Sequence, residues 1–136
     1  KVEGTALKNA STIGFKKPCT PAEVTLLAEC TSQVVVEKCT FDMFSNPNTE
    51  VILQALRPQE VYVWGVALEY CVKAACLGLL KRMSAVYLVE DAVCAKDPAE
   101  AKAVYRELES KGVRLIRSAE LLERIAGPQH DGGDVR

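Results

Sequence analysis

Cys71 and Lys38 are the two side chains of this sequence whose positions suit them for chemistry. Cys71 lies within VYVWGVALEYCVKAACLG, residues 61–78. The opening residues, Val61 to Trp64, are β-branched or aromatic and predict a short buried strand. Gly65 is expected to break it. Helical spacing then runs through Val72, Ala75, Cys76, Leu79 and Leu80, predicting a helix over 69–83. Cys71 therefore falls in the first turn of a helix at the carboxyl end of a strand. Unpaired N–H groups and the positive end of the helix dipole lie there, and both stabilise a thiolate. The same N–H groups suit the oxyanion formed when a thiolate attacks a carbonyl carbon. The competing reading of Cys71 is a small buried apolar residue.

Lys38 follows QVVVE, residues 33–37, a second predicted buried strand. Sites in open parallel sheets form outside the carboxyl ends of the strands. Lys38, Cys71 and the pair Glu90-Asp91, which follows AVYLV, all occupy such ends. A lysine ammonium beside Cys71 would favour the thiolate further; alone, Lys38 reads as a solvated loop residue.

The other cysteines, Cys19, Cys30, Cys39, Cys76 and Cys94, are scattered through periodic segments, with no CxxC pair and no secretory feature. Reduced thiols are expected. Cys71 and Cys76 stand at i and i+5, about 140° apart around a helix, so they do not suit a redox pair. The single histidine, His130, lies in a Gly-rich tail, so no metal site is expected and no cofactor is called for.

The chain has 136 residues and a formal net charge of −1, with acids and bases interspersed. That balance lacks the basic footprint of a nucleic-acid binder or a polybasic membrane patch. No apolar run reaches the roughly 20 residues of a membrane span, and the N-terminus lacks a signal-peptide pattern. A cytoplasmic protein is expected, acting on a small molecule and assembling as a homo-oligomer, with no nucleic-acid or membrane partner.

Residues 1 to 20 read as mostly irregular. Thr20-Pro21-Ala22-Glu23 signals a helix start, with Thr20 as cap, running to about Cys30. CTFDMFSNPN is expected to be a loop carrying Phe41 and Phe44, after which Asn48 or Thr49 caps a helix through Leu56. Strand 85–89 leads through the loop EDAVCAKDP to helix 98–111, closed by Gly112. Strand 113–116 precedes a last helix, capped by Ser118. Strands alternating with helices predict an α/β fold, a three-layer α/β/α arrangement around a parallel sheet. One domain over residues 1–126 and a flexible tail over 127–136 are expected.

From Gln33 to Leu122 the chain resembles the isochorismatase-like cysteine hydrolases, which include nicotinamidases and N-carbamoylsarcosine amidases. The strongest likeness is Gly65-Val66-Ala67-Leu68-Glu69-Tyr70-Cys71-Val72-Lys73-Ala74, similar to the family's nucleophile segment G-[VI]-A-x-[DE]-x-C-V-[KR]-x. Lys38 to Phe44 resembles its lysine-to-Phe loop, and residues 88–93, LVEDAV, its next strand and turn. The resemblance implies Cys71 as nucleophile, Lys38 as catalytic lysine, and a cis peptide between Val66 and Ala67 that turns the Ala67 N–H, with that of Cys71, toward the oxyanion. It implies hydrolysis of a small amide through a thioester on Cys71. Vinyl-ether hydrolysis of the isochorismatase type is the alternative within the family, and a non-catalytic interaction or assembly role the alternative outside it. Phe41, Phe44 and Trp64 are candidates to line an apolar substrate slot, with buried core as the expected role of each, Trp64 above all. A turn position is expected for Asp91.

The family's triad also needs an aspartate from a central strand, usually within D-x-Q. No such strand is expected before Lys38, where residues 1–32 carry only Glu3, Glu23 and Glu29 as acids. The expectation is a chain incomplete at its N-terminus. Glu37, Glu69 and Glu90-Asp91 are the carboxylates available as substitutes.

Overall fold

A computed structural model describes residues 10–14 and 17–127. The chain divides into two compact units, residues 1–59 and 60–136. Among the described residues, helices alternate with strands that pair only in parallel, as the α/β reading requires. The tail from 128 and the first nine residues lie outside the described residues.

In the first unit, β1 (Ala10–Ile13) and β2 (Gln33–Val36) pair in register from Ala10↔Gln33 to Ile13↔Val36. β1 corrects the irregular reading of the N-terminal region: a strand does precede Lys38. Its sequence, ASTI, has one large apolar residue and so gives no strand-like alternation, yet Ile13 is buried. β2 is also less buried than a QVVVE core strand would be. Exposure alternates along it, and Val35 is exposed.

α1 (Pro21–Cys30) starts at the expected capping box, with Thr20 accepting from the Glu23 N–H and Glu23 accepting from the Thr20 N–H. α2 (Pro47–Leu56) packs against it and is capped by Asn46, whose Oδ1 accepts from the Asn48 N–H at 2.9 Å. The cap thus falls before the expected Asn48 or Thr49. Pro47 explains the shift, because proline suits the first helical position and puts the cap one residue earlier.

In the second unit, β3 (Val61–Val66), β4 (Val86–Cys94) and β5 (Arg114–Ile116) form a parallel sheet in that order. Val86 to Val89 are all buried, which marks β4 as a strand covered on both faces. Tyr87 and Val89 pack with Ile116, Tyr62 and Leu121 beneath α5 (Ser118–Ala126), while α3 (Lys73–Leu80) and α4 (Pro98–Lys111) also pack on the sheet. Gly112 closes α4 at φ 111°, a left-handed conformation that glycine adopts without steric cost.

Two strands run further than expected. β3 continues through Gly65, which takes φ 126° where the register shifts, and ends at Val66. β4 continues through EDAVC: from Leu88 to Val93 it advances five positions while β3 advances two, from Val63 to Gly65. The surplus residues of β4 form a bulge, which turns Glu90 and Asp91 away from the ladder. Asp91 is therefore a strand residue, not a turn residue. It caps α5 by accepting from the Ser118 N–H at 2.8 Å and the Ser118 hydroxyl at 2.6 Å. Ser118 is the first helical residue, with Arg117 in the cap position. The helix expected over 69–83 is a π-helical turn, Leu68–Val72, continuing into α3, which ends at Leu80.

Candidate active site

β3 delivers the chain to the Val66–Ala67 peptide, which is cis. Ala67 then caps the π-helical turn, its carbonyl accepting from the N–H groups of Tyr70 at 3.1 Å and Val72 at 3.2 Å. Leu68 and Val72 are buried and anchor the turn, and Cys71 between them is half-buried. Cys71 thus stands in the first turn of a helix that continues to Leu80, beyond the carboxyl end of β3. π-Turns inside helices recur at functional sites.

Glu69 fastens this turn to the loop before α4. Its carboxylate accepts from the Lys96 N–H at 3.0 Å and the Asp97 N–H at 2.9 Å. These two backbone donors, Lys96 first, hold the Glu69 carboxyl below its ordinary pKa. Lys73, two residues after the nucleophile candidate, pairs with Glu107 of α4 at 2.6 Å. The Lys96 ammonium lies 5.9 Å from the centre of the Tyr70 ring. Trp64 is 62 % exposed and Val66 69 % exposed, so Trp64 is not the core residue expected from its strand. Leu121 of α5 packs with Tyr62, Tyr87 and Val89.

Lys38 belongs to the first unit, immediately beyond β2. Its ammonium donates to the carbonyls of Thr40 at 2.9 Å and Phe41 at 3.3 Å, folding the side chain over its own loop. That loop contains the 3₁₀ turn Met43–Ser45, capped by Asp42 through the Phe44 N–H at 2.9 Å. Phe41 is exposed and Phe44 half-buried, so Phe41 on its surface loop is not the core residue expected of it. A shallow depression is lined by Lys38, Cys39, Thr40 and Phe41. Lys38 with Phe41 and Phe44 thus lie in one unit, and Val66, Ala67 and Cys71 in the other.

Glu69, Glu90 and Asp91, three of the four carboxylates available in place of the family's aspartate, have other work. Glu69 serves the loop before α4. Asp91 caps α5, and its pKa is lowered by the Ser118 hydroxyl first and the Ser118 N–H second. Glu90 pairs with Arg117 at 3.2 Å. β1, the strand missed in the sequence, carries no acid.

Asn46 was also missed. It is wholly buried, and its side-chain amide donates to the Glu37 carbonyl at 2.9 Å and the Ile13 carbonyl at 3.5 Å. The dipeptide Asn-Pro ahead of an apolar helical stretch was the available signal. Cys76 is buried in α3, and desolvation pushes its thiol up to about 11.

The Isochorismatase domain family model matches residues 7–120, extending the recognisable region upstream of Gln33 to include β1. No curated protein gives a significant match. Among solved structures, the pyrazinamidase of Pyrococcus horikoshii in complex with zinc is 30 % identical; the alignment covers 63 % of this chain and 52 % of that one, with a TM-score of 0.57. PnC1 from L. infantum in complex with nicotinate is 25 % identical over 68 % of this chain and 52 % of its own, also at 0.57. The MAR1 ribonuclease from Caenorhabditis elegans is 26 % identical over 90 % of this chain and 63 % of its own, at 0.63. The chain spans about half the length of the first solved structures it matches. Zinc accompanies the pyrazinamidase, but the described residues here contain no group of three or more His, Cys, Asp or Glu side chains able to hold a metal. They also contain no helix long and apolar enough to cross a membrane. With the family model matching most of its length, the chain belongs to the isochorismatase family.

Proposed function

We propose that this chain carries the nucleophile, Cys71, and the catalytic lysine, Lys38, of a cysteine hydrolase acting on a small amide. The observation that carries the reading is the placement of Cys71: half-buried, in the first helical turn beyond the carboxyl end of a parallel strand. Likeness to a pyrazinamidase and to a PnC1 structure holding nicotinate supports an amide of an aromatic ring acid as the substrate class. In this reading the Cys71 thiolate attacks the carbonyl carbon, and the N–H groups of Ala67 and Cys71 hold the resulting oxyanion. The C–N bond breaks, the amine leaves with a proton, and water cleaves the thioester to release the acid and restore the thiol. Lys38 stabilises the thiolate, and Phe41 and Phe44 contact the substrate ring. In this reading the proton acceptor is the aspartate of the family's central strand, and β1, Glu69, Glu90 and Asp91 do not replace it. A cytoplasmic location and a homo-oligomeric assembly are proposed alongside this reading.

A second reading comes from the MAR1 ribonuclease, whose alignment covers 90 % of this chain. A net charge of −1 disfavours it, because phosphate-backbone binding relies on clustered Lys and Arg. Vinyl-ether hydrolysis and a non-catalytic assembly role are the remaining alternatives.

Intact-mass analysis separates these readings. After incubation with a panel of small amides, or with limiting iodoacetamide at neutral pH, the first adduct is expected on Cys71. Cys71→Ser should lose that fast adduct and keep only the slower labelling of the exposed thiols Cys30, Cys39 and Cys94. Faster labelling of Cys19, Cys30 or Cys94 in the folded protein would remove Cys71 as nucleophile. RNA cleavage that survives Cys71→Ser would favour the ribonuclease reading. Lys38→Ala should slow alkylation of Cys71 at neutral pH, and an unchanged rate–pH profile would take the lysine out of the mechanism.

A further inference from the structure

The carboxyl ends of β1 and β2, bonded to each other by the Glu37 N–H donating to the Ile13 carbonyl at 3.0 Å, are also bridged by one buried side chain. Asn46 donates from one amide nitrogen to the last carbonyl of β1, Ile13, and to the carbonyl of Glu37, the residue directly before Lys38. Its oxygen caps α2 through the Asn48 N–H. Asn48, buried beside it, donates to the Gly14 and Lys17 carbonyls at 3.0 and 2.8 Å and accepts from the Cys19 N–H at 2.7 Å. Thr49, also buried, donates to the Met43 carbonyl at 2.7 Å and holds the far end of the Lys38 loop. The loop from 38 to 45 is thus gripped at both ends by neutral buried groups of the α2 start.

We propose that Asn46 is the positioning residue of Lys38. Its amide fixes the peptide from which Lys38 leaves the sheet, so that the ammonium meets the Thr40 and Phe41 carbonyls. Helix capping alone does not account for the side chain. An aspartate or serine caps equally well, but neither could donate to the two strand-end carbonyls while doing so from this position. Asparagine alone among the good caps carries an acceptor for the helix and an N–H₂ for the strands. The inference rests on the reading of Lys38 as the catalytic lysine, but it is tested on Lys38 directly.

The test is competitive acylation of the full chain with acetic anhydride, read by peptide mass spectrometry, with Lys102 as internal reference. Amide hydrogen exchange of α2 is followed in parallel. In N46S, and in N46T as the second cap-retaining and equally uncharged variant, α2 should keep its protection while Lys38 acylates about fivefold faster, as its contacts with the Thr40 and Phe41 carbonyls loosen. The pH profile of Cys71 alkylation should move toward that of Lys38→Ala. An unchanged Lys38 rate in a folded variant overturns the proposal. Faster acylation accompanied by loss of α2 protection in both variants also overturns it, because Asn46 is then only a helix cap. If Lys38→Ala leaves Cys71 alkylation unchanged while N46S still accelerates Lys38, the positioning stands and the catalytic reading of the lysine falls.

Discussion

The two units hold their site-bearing loops by opposite means. In the first, the loop after β2 is held by uncharged groups removed from solvent: Asn46, Asn48 and Thr49 are 0, 1 and 2 % exposed. In the second, the turn bearing Cys71 and the start of α5 are held by carboxylates at the surface, Glu69 on two backbone N–H groups and Asp91 on Ser118. The difference follows from the cost of burial. An amide can be buried at little cost once its donors and acceptors are all paired, whereas a buried carboxylate needs a compensating charge. At the rim a carboxylate keeps its hydration and still makes charge-assisted hydrogen bonds. The first unit's clamp is consequently blind to pH, and the second unit's is not.

The comparison breaks most readily at Asn48. Asn48→Ala removes two donated and one accepted hydrogen bond and leaves their backbone partners, in part-buried surroundings, without them. A loss of about 3 kcal/mol is expected, read as lost hydrogen-exchange protection over β1, β2 and α2. The loss should be the same at mildly acidic and neutral pH. A loss under about 1 kcal/mol, or one that varies with pH, would remove the contrast between the units.

Asp91→Asn sharpens the other half and has a smaller expected effect. The folded-state pKa of Asp91 lies below its ordinary value, so its stabilisation is present above about pH 4 and is lost as pH falls through the lowered value. Thermal melts followed by Trp64 fluorescence should show an acid decline in the parent chain that is shallower in the variant. Glu69→Gln should behave likewise, since the Lys96 and Asp97 N–H groups lower its pKa in the same direction. Identical acid slopes in parent and variants would mean that these carboxylates do not set the pH response of the second unit.

What could be read in the sequence, and what could not, divides along similar physical lines. α1, α4 and β5 were legible because their caps and periodicity are local: Thr20 with Glu23, Gly112, and the apolar VRLI run. The placement of Cys71 was legible for the same reason, a strand-like run abutting a helical one. β1 was not, because ASTI becomes a strand only through its partner β2. The extension of β4 through EDAVC was hidden by a bulge whose purpose, capping α5 from Asp91, joins residues 27 positions apart. The exposure of Trp64 was missed because strand propensity speaks to pairing and not to which helix covers a face. Asn46 escaped for a related reason: as a cap it is a local signal, but its contact with Ile13 spans 33 positions.

The smallest expected effect concerns two cysteines of one helical run. Cys71 and Cys76 are five residues apart, yet Cys71 is half-buried in the π-helical turn and Cys76 is wholly buried in α3. Burial pushes the Cys76 thiol up to about 11, so it stays protonated in the fold and presents no thiolate to an alkylator. Labelling of Cys76 at neutral pH should therefore be undetectable while Cys71 is consumed, and should appear only with global unfolding. The sign of the linkage is also fixed. Because the folded value exceeds the ordinary one near 9, the neutral thiol costs nothing below that pH, and its preference weakens the fold only as pH rises from about 9 toward 11. Cys76→Ala should remove that alkaline decline at the expense of a small cavity. Appreciable labelling of Cys76 at neutral pH under native conditions would show that α3 opens locally. The reactivity of Cys71 would then report helix opening and not the placement of a nucleophile.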